Sequence, residues 1–158
     1  MSIRQNSNTT SDNPLSADQI TLVKESWKKL APKLIDVAQN FYINLFDLDP
    51  SLQSMFDETD MDSQNKKFTD TITVVVKGLD QFEVLGPAIG ELGNRHAGYG
   101  VSNEHYAIVK KALLDALASE LGSDFTSDTK IAWIKTYDAM STIMREGSAG
   151  KPLTSPGL

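Results

Sequence analysis

The chain has 158 residues, 15 basic and 21 acidic, and a formal net charge of −6. An acidic chain is a poor match for nucleic acid or for an anionic membrane surface, because both attract clustered lysine and arginine. The absence of cysteine excludes disulfides, thiolate metal sites and cysteine nucleophiles. No apolar run approaches the roughly 20 residues of a membrane span, and the polar N-terminus lacks the apolar core of a signal peptide. We therefore expect one cytoplasmic domain without a nucleic-acid or membrane partner.

The N-terminal third of the chain predicts a tail followed by two helices. Residues 1–14 are polar and predict a disordered tail. Ser16–Gln19 has the pattern of a capping box, which begins a helix. Apolar residues then recur every three or four positions up to Leu30, and again from Leu34 until Asp49-Pro50 ends the second helix.

The same helical spacing continues through the rest of the chain. We expect Gly86-Pro87 to begin a helix, because proline suits a first turn, and Ser102 or Asn103 to cap the next one. The run TITVVV is β-branched, but its neighbours keep helical spacing and no turn residues bracket it. Four sets of residues at this spacing each form an apolar stripe along one face of a predicted helix. They are Phe68, Ile72, Val75 and Leu79; Leu85, Ile89 and Leu92; Val109, Leu113, Ala116 and Leu117; Trp133, Tyr137, Met140 and Met144.

These patterns predict an all-α fold of about seven helices. The domain is expected to cover residues 15–146, and the glycine- and proline-containing stretch 147–158 is expected to be a flexible tail.

The two histidines are the main candidates for chemistry. His96 continues the apolar stripe of Leu85, Ile89 and Leu92, so its side chain should face the interior. It could be a core histidine bonded to a backbone carbonyl, or it could have a ligand or catalytic role. His105 lies at a helix start, where a capping or solvated role is expected. No second ligand stands at helical spacing from His96, and a single protein ligand suits a metal already held by a macrocycle such as haem.

Four stretches, taken together, resemble a globin. They are FYINLF (41–46), LQSMF (52–56), QNKKF (64–68) and HAGYGVSNEHYAIV (96–109). Gln64 lies 32 residues before His96, and Tyr106 lies ten after it, in agreement with the distal and proximal positions of that family. Within the globins, the chain is most similar to single-domain bacterial haemoglobins and to the haem domain of flavohaemoglobins.

The resemblance implies a globin fold around haem b (iron protoporphyrin IX) with His96 as the iron ligand. Tyr42 and Gln64 would be the distal hydrogen-bond donors. Phe56 would wedge against the haem, and Phe68 would pack over it and narrow the pocket.

Two further cofactor-binding residues follow from the resemblance. Lys67 is the candidate partner of a haem propionate at the rim, and Tyr106 is the candidate proximal tyrosine. Flavohaemoglobins also carry a proximal glutamate on the last helix. A gapless alignment places Ser148 at that position, with Glu146 two residues short, so the resemblance leaves open whether any glutamate completes this pocket.

The implied function is reversible, high-affinity binding of dioxygen for storage, scavenging, transport or delivery, with no residue assigned as catalytic. Nitric oxide and carbon monoxide are further candidate ligands. The alternatives are a nitric oxide dioxygenase, which would need an external reductase because the chain holds no flavin- or nicotinamide-binding region, and a gas sensor.

Overall fold

The computed structural model describes residues 13–98 and 102–149, apart from the side chains at positions 94, 97, 98 and 147–149. These residues form six α-helices and no strand, which confirms the all-α prediction, although about seven helices were expected. The run TITVVV lies within the third helix. The helices are α1 (Ala17–Leu30), α2 (Leu34–Leu48), α3 (Met61–Lys77), α4 (Phe82–Gly98), α5 (Asn103–Leu121) and α6 (Ser127–Ala149).

Four short 3-10 helices connect these elements in the part of the chain that the structure describes. They are Ala31–Lys33, Pro50–Phe56, Leu79–Gln81 and Gly122–Asp124. Within the described parts of the chain, no helix is both long enough and apolar enough to cross a membrane.

The beginning of α1 confirms the predicted capping box. The backbone N–H of Gln19 donates to Ser16 Oγ at 3.1 Å, and the backbone N–H of Ser16 donates to Gln19 Oε1 at 3.0 Å. The predicted tail falls mostly on residues 1–12, which lie outside the described residues. Asn13 is joined to the domain, since its Nδ2 donates to the carbonyl of Leu79 at 2.7 Å.

The predicted start of α4 was wrong. The helix begins at Phe82, directly after the 3-10 helix, and Pro87 lies inside it. Proline has no N–H and therefore cannot donate to the carbonyl of Glu83, one turn earlier. Compared with a regular helix, one backbone hydrogen bond is therefore missing between the first turn of α4 and the part of the helix after Pro87.

The last helix extends beyond the expected domain end. α6 continues to Ala149, three residues into the stretch expected to be a tail, while residues 150–158 lie outside the described residues. A single glycine such as Gly147 weakens a helix by only about 1 kcal/mol relative to alanine, which is not enough to end one.

The core is built mainly by two helix pairs, α4 with α6 and α2 with α5. Two tryptophans attach α1 to this framework. Trp133 Nε1 donates to Ser26 Oγ at 2.8 Å, and Trp27 Nε1 donates to Thr73 Oγ1 at 2.9 Å. The two indole rings lie 5.9 Å apart between centroids. Both indole N–H groups are therefore satisfied, and α1 is tied to α6 and to α3.

Candidate functional site: a cavity between five helices

A cavity of about 630 Å³ lies between α2, α3, α4, α5, α6 and the 3-10 helix at Pro50–Phe56. This volume is in the range of small-molecule and cofactor sites, which hold about 300–1,000 Å³. The fold brings all of the predicted site residues to the wall of this one cavity. They are Tyr42, Phe56, Gln64, Lys67, Phe68, His96 and Tyr106.

A tyrosine and a glutamine form a hydrogen-bonded pair in the cavity wall. Tyr42 on α2 is buried, with 6% of its surface exposed, and Gln64 on α3 is half-buried. Gln64 Nε2 donates to Tyr42 Oη at 3.0 Å. Burial raises the pKa of Tyr42 above its ordinary value, and the Gln64 bond opposes this with a smaller effect. The phenol is therefore neutral at pH 7 and keeps its own proton to donate.

Aromatic rings hold this pair in place. Phe41 and Phe68 are stacked, with centroids 4.2 Å apart and planes inclined by 15°. The ring of Tyr42 makes edge-on contacts with Phe56 at 5.5 Å and with Phe68 at 5.8 Å. Such aromatic pairs each contribute about 1 kcal/mol beyond their buried area. Tyr42 thus has a fixed ring orientation, and Phe68 is held by its stacking on α2.

His96 is held in one tautomer by the backbone of its own helix. Its Nδ1 lies 2.8 Å from the carbonyl oxygen of Leu92, one turn earlier. Because a carbonyl can only accept, Nδ1 carries the proton and donates it, so Nε2 is the nitrogen suited to a metal. Burial lowers the pKa of His96; the Leu92 bond raises it and the charge of Arg95 lowers it, both by less. The imidazole is therefore neutral at pH 7, as metal coordination requires.

His105 has a capping role at the start of α5. The backbone N–H of Ser102, the N-cap residue, donates to His105 Nδ1 at 3.0 Å. The half-buried His105 side chain also borders the cavity. The backbone contact accords with the capping role expected for it. That both histidines border the same cavity was not predicted from their spacing.

The wall beside α6 is formed by a pair of tyrosines. Tyr137 Oη donates to the backbone carbonyl of Tyr106 at 2.8 Å, and the guanidinium carbon of Arg145 lies 5.2 Å from the centre of the Tyr106 ring. Burial raises the pKa of Tyr106, while the charge of Arg145 opposes this. The two residues considered for the proximal glutamate position lie near the end of the same helix. The side chain of Glu146 is exposed to solvent, and the side chain of Ser148 lies outside the described residues.

Sequence reasoning missed Arg95 as a cavity residue. Arg95 and Lys67 are both exposed and both border the cavity, so two cations stand at its rim. The position of Arg95 next to His96 was the available signal. Met140 and Met144 were assigned to a core stripe, and both are buried in the cavity wall.

The cavity fits haem in its chemistry. A porphyrin is a large apolar ring with two carboxylates, and it needs apolar walls, cations at one edge and an axial ligand. Apolar side chains line this cavity, Lys67 and Arg95 lie at its rim and the neutral imidazole of His96 borders it, so groups of all three kinds are present.

The fold and this cavity define an α-helical protein built to hold a large, mostly apolar cofactor. The family profile described as Globin matches residues 39–144, which is more than half of the chain. The chain belongs to the globin family of haem-binding proteins.

Individual relatives of known name are also similar to this chain in sequence. A flavohemoprotein of Xylella fastidiosa is 29% identical over 136 residues, which cover 85% of this chain and 34% of the relative. The chain therefore spans about a third of the length of this relative. A neuroglobin of Danio rerio is 27% identical over 148 residues, with 85% of this chain and 93% of the relative covered.

A solved structure shares the fold. The crystal structure of a hexacoordinated haem protein from an anhydrobiotic tardigrade superposes with a TM-score of 0.78 at 18% identity, and the match covers 88% of this chain and 98% of the other. At that identity the likeness concerns the fold alone.

Proposed function

We propose that this globin binds haem b through His96 and holds dioxygen reversibly and with high affinity, for storage, scavenging or delivery. The observation that carries the proposal is the Gln64–Tyr42 hydrogen bond in the wall of the cavity that His96 also lines. Haem, when bound, would supply an iron that takes a diatomic gas. Everything else that the proposal needs comes from side chains of this chain.

Three groups would hold the cofactor. His96 Nε2 would coordinate the iron while Nδ1–H stays on the Leu92 carbonyl, which keeps the ring oriented and makes it a better electron donor. Lys67 and Arg95 would meet the two carboxylates at the rim. Phe56 and Phe68 would contact the porphyrin ring, since both border the cavity from its aromatic wall.

Tyr42 would be the direct donor to the gas, and Gln64 would orient it. The Tyr42 oxygen already accepts a hydrogen from Gln64, so its own O–H can rotate towards a ligand in the cavity. The raised pKa of Tyr42 keeps that proton in place at neutral pH. A dioxygen ligand would carry partial negative charge as it accepts a hydrogen from Tyr42, and a hydrogen bond to a charged partner contributes about 1.5–3 kcal/mol. The hydrogen bond from Tyr42 would therefore slow the release of dioxygen, which suits a scavenger or a store better than a rapid carrier.

A second candidate function is a nitric oxide dioxygenase served by an external reductase. It is favoured by the match to a flavohemoprotein, whose name joins a flavin to a haem. Slow release of dioxygen would keep it available for a second substrate. Production of nitrate from nitric oxide, under a supply of electrons, would support this function. If dioxygen is bound and slowly released under the same conditions without nitrate being formed, the oxygen-binding function is the one supported.

The proposal is tested by absorbance spectroscopy of the haem-loaded protein in its ferric, ferrous, dioxygen-exposed and carbon monoxide-exposed forms. The wild type should give a five-coordinate ferrous spectrum and a stable spectrum under oxygen. His96→Ala should lose or alter both. His105→Ala is the matched control, because His105 borders the same cavity with its Nδ1 on a backbone N–H. Failure of the wild type to take up haem, or identical spectra without His96, would refute the ligand assignment.

A further inference from the structure

The helix that carries His96 meets α6 at a glycine. A Cβ atom placed on Gly93 would overlap the carbonyl oxygen, carbonyl carbon and Cα of Met144. All three are backbone atoms, so no change of side-chain rotamer can relieve the overlap. The absence of a side chain at Gly93 therefore sets how closely α4 approaches α6, the helix against which it packs most extensively.

This contact lies where it can control the position of His96. Gly93 directly follows Leu92, whose carbonyl accepts the Nδ1–H of His96, and it is three residues before His96 itself. On the other side, Pro87 removes one hydrogen bond from the backbone ladder of α4. The half of α4 that carries His96 is thus coupled less strongly to the first turn, and its placement depends on its lateral contact with α6.

We infer that Gly93 is a positioning residue, which fixes the distance and tilt of the His96 imidazole relative to the bound iron through its contact with the Met144 backbone. The inference rests on the proposed ligation of iron by His96. Packed interiors do not absorb an added methyl group without movement. With alanine at position 93, α4 must move away from α6 by on the order of 1 Å before the atoms reach ordinary separation, and His96 moves with it.

The test compares Gly93→Ala with Gly86→Ala in the haem-loaded protein. Gly86 lies on the same helix, and a Cβ there would meet nothing within 4 Å beyond its chain neighbours. Both variants exchange a helical glycine for alanine, but only Gly93→Ala adds an overlap with α6. Gly86 precedes Pro87, whose ring restricts the backbone of the residue before it, so any cost of Gly86→Ala arises in the first turns of α4, away from His96. The readout is the iron–histidine stretching band of the ferrous protein by resonance Raman spectroscopy, which reports the geometry of this bond directly.

We expect the band to shift in Gly93→Ala and to stay at the wild-type frequency in Gly86→Ala. The dissociation rate of carbon monoxide from the ferrous protein should change only in Gly93→Ala. A folded, haem-loaded Gly93→Ala protein with the wild-type band and rate would overturn the inference. A band that shifts equally in both variants would also overturn it.

If Gly93→Ala does not fold, a milder change on the same face of α4 tests the packing of this helix instead. Ile89 is buried and lies one turn before Gly93, on the same face of α4. Ile89→Val removes one methylene and loosens this face without creating an overlap. A band shift in Ile89→Val, absent from Gly86→Ala, supports the inference, and the wild-type band in Ile89→Val overturns it.

Failure of the underlying assignment would look different. If His96 is not the iron ligand, the wild-type ferrous protein has no iron–histidine band that disappears in His96→Ala. If only the positioning role is wrong, that band is present and is lost in His96→Ala, yet it does not respond to position 93 or position 89.

Discussion

Replacement of Tyr42 by phenylalanine should accelerate the release of dioxygen. The ring keeps its edge-on contacts with Phe56 and Phe68, so the shape of the cavity is retained while the hydroxyl is lost. A hydrogen bond to a charged partner contributes about 1.5–3 kcal/mol, which corresponds to a factor of roughly 10 to 100 in the dissociation rate. The loss of one neutral hydrogen bond with Gln64 should cost about 1 kcal/mol of folding stability.

The structure predicts that Gln64 partly compensates in this variant. Its Nε2 loses the Tyr42 oxygen as acceptor, and the half-buried side chain can turn into the cavity and donate to the gas itself. Tyr42→Phe should therefore fall near the lower end of the range. Gln64→Leu alone should have a smaller effect, because Tyr42 remains as donor. The double variant should release dioxygen faster than the product of the two single effects predicts.

The assay is stopped-flow displacement of dioxygen by carbon monoxide, recorded for the four proteins of this double-mutant cycle. Tyr137→Phe is the control, because Tyr137 borders the same cavity but donates to the backbone carbonyl of Tyr106. The decisive comparison is made in the Gln64→Leu background, where Gln64 no longer compensates. An increase of less than about twofold on adding Tyr42→Phe there, matched by Tyr137→Phe, would be too small for any charge-assisted hydrogen bond and would refute Tyr42 as the donor.

Three further predictions concern ligand size, pH and capping. Phe68→Leu should lose about 1 kcal/mol of stacking on Phe41 and widen the cavity; ethyl isocyanide should then bind faster while carbon monoxide changes little, and unchanged isocyanide rates would contradict the narrowing role of Phe68. Burial raises the pKa of Tyr137 above its ordinary value of 10.0, so above pH 10 the unfolded chain ionises first and stability falls by up to about 1.4 kcal/mol per pH unit for this residue. Urea unfolding of the apoprotein should show a shallower alkaline loss in Tyr137→Phe than in the wild type, and equal slopes would contradict the assignment. Ser16→Ala should lower the free energy of unfolding by about 1 kcal/mol, because the N–H of Gln19 loses its acceptor, and an unchanged urea midpoint would show that this cap does not stabilise α1.

Local rules predicted those elements whose ends are set by local chemistry. The capping box at Ser16 and the end of α2 before Asp49-Pro50 both follow from interactions within a few residues, and both are present. The start of α4 was missed because a 3-10 helix leads directly into Phe82, and tertiary packing holds Pro87 inside a helix that its propensity would interrupt. The position of Pro87 inside a helix therefore depends on packing across the whole fold and does not follow from the residues next to it.

The site shows the same division between local and long-range information. Motifs and a family resemblance selected seven residues, and the fold brings all seven to one cavity. The pairing of Gln64 with Tyr42 and the stacking of Phe68 on Phe41 join α3 to α2 across more than 20 positions. Helical spacing gives the face on which a residue lies and does not give the partner on another helix. The contact of Gly93 with Met144 was missed for the same reason.

The two tryptophans also give the protein an internal optical reporter. Trp133 lies one turn before Tyr137 on α6, and Tyr137 borders the cavity; Trp27 contacts Trp133 from α1. Haem absorbs across the wavelengths at which indole emits, so a cofactor in the cavity would quench both rings by energy transfer. The intensity of tryptophan emission would then report the fraction of molecules in a solution that lack the cofactor. The affinity of each cavity variant for the cofactor could be followed by titration without a label, on the same samples that are used for the gas-release measurements.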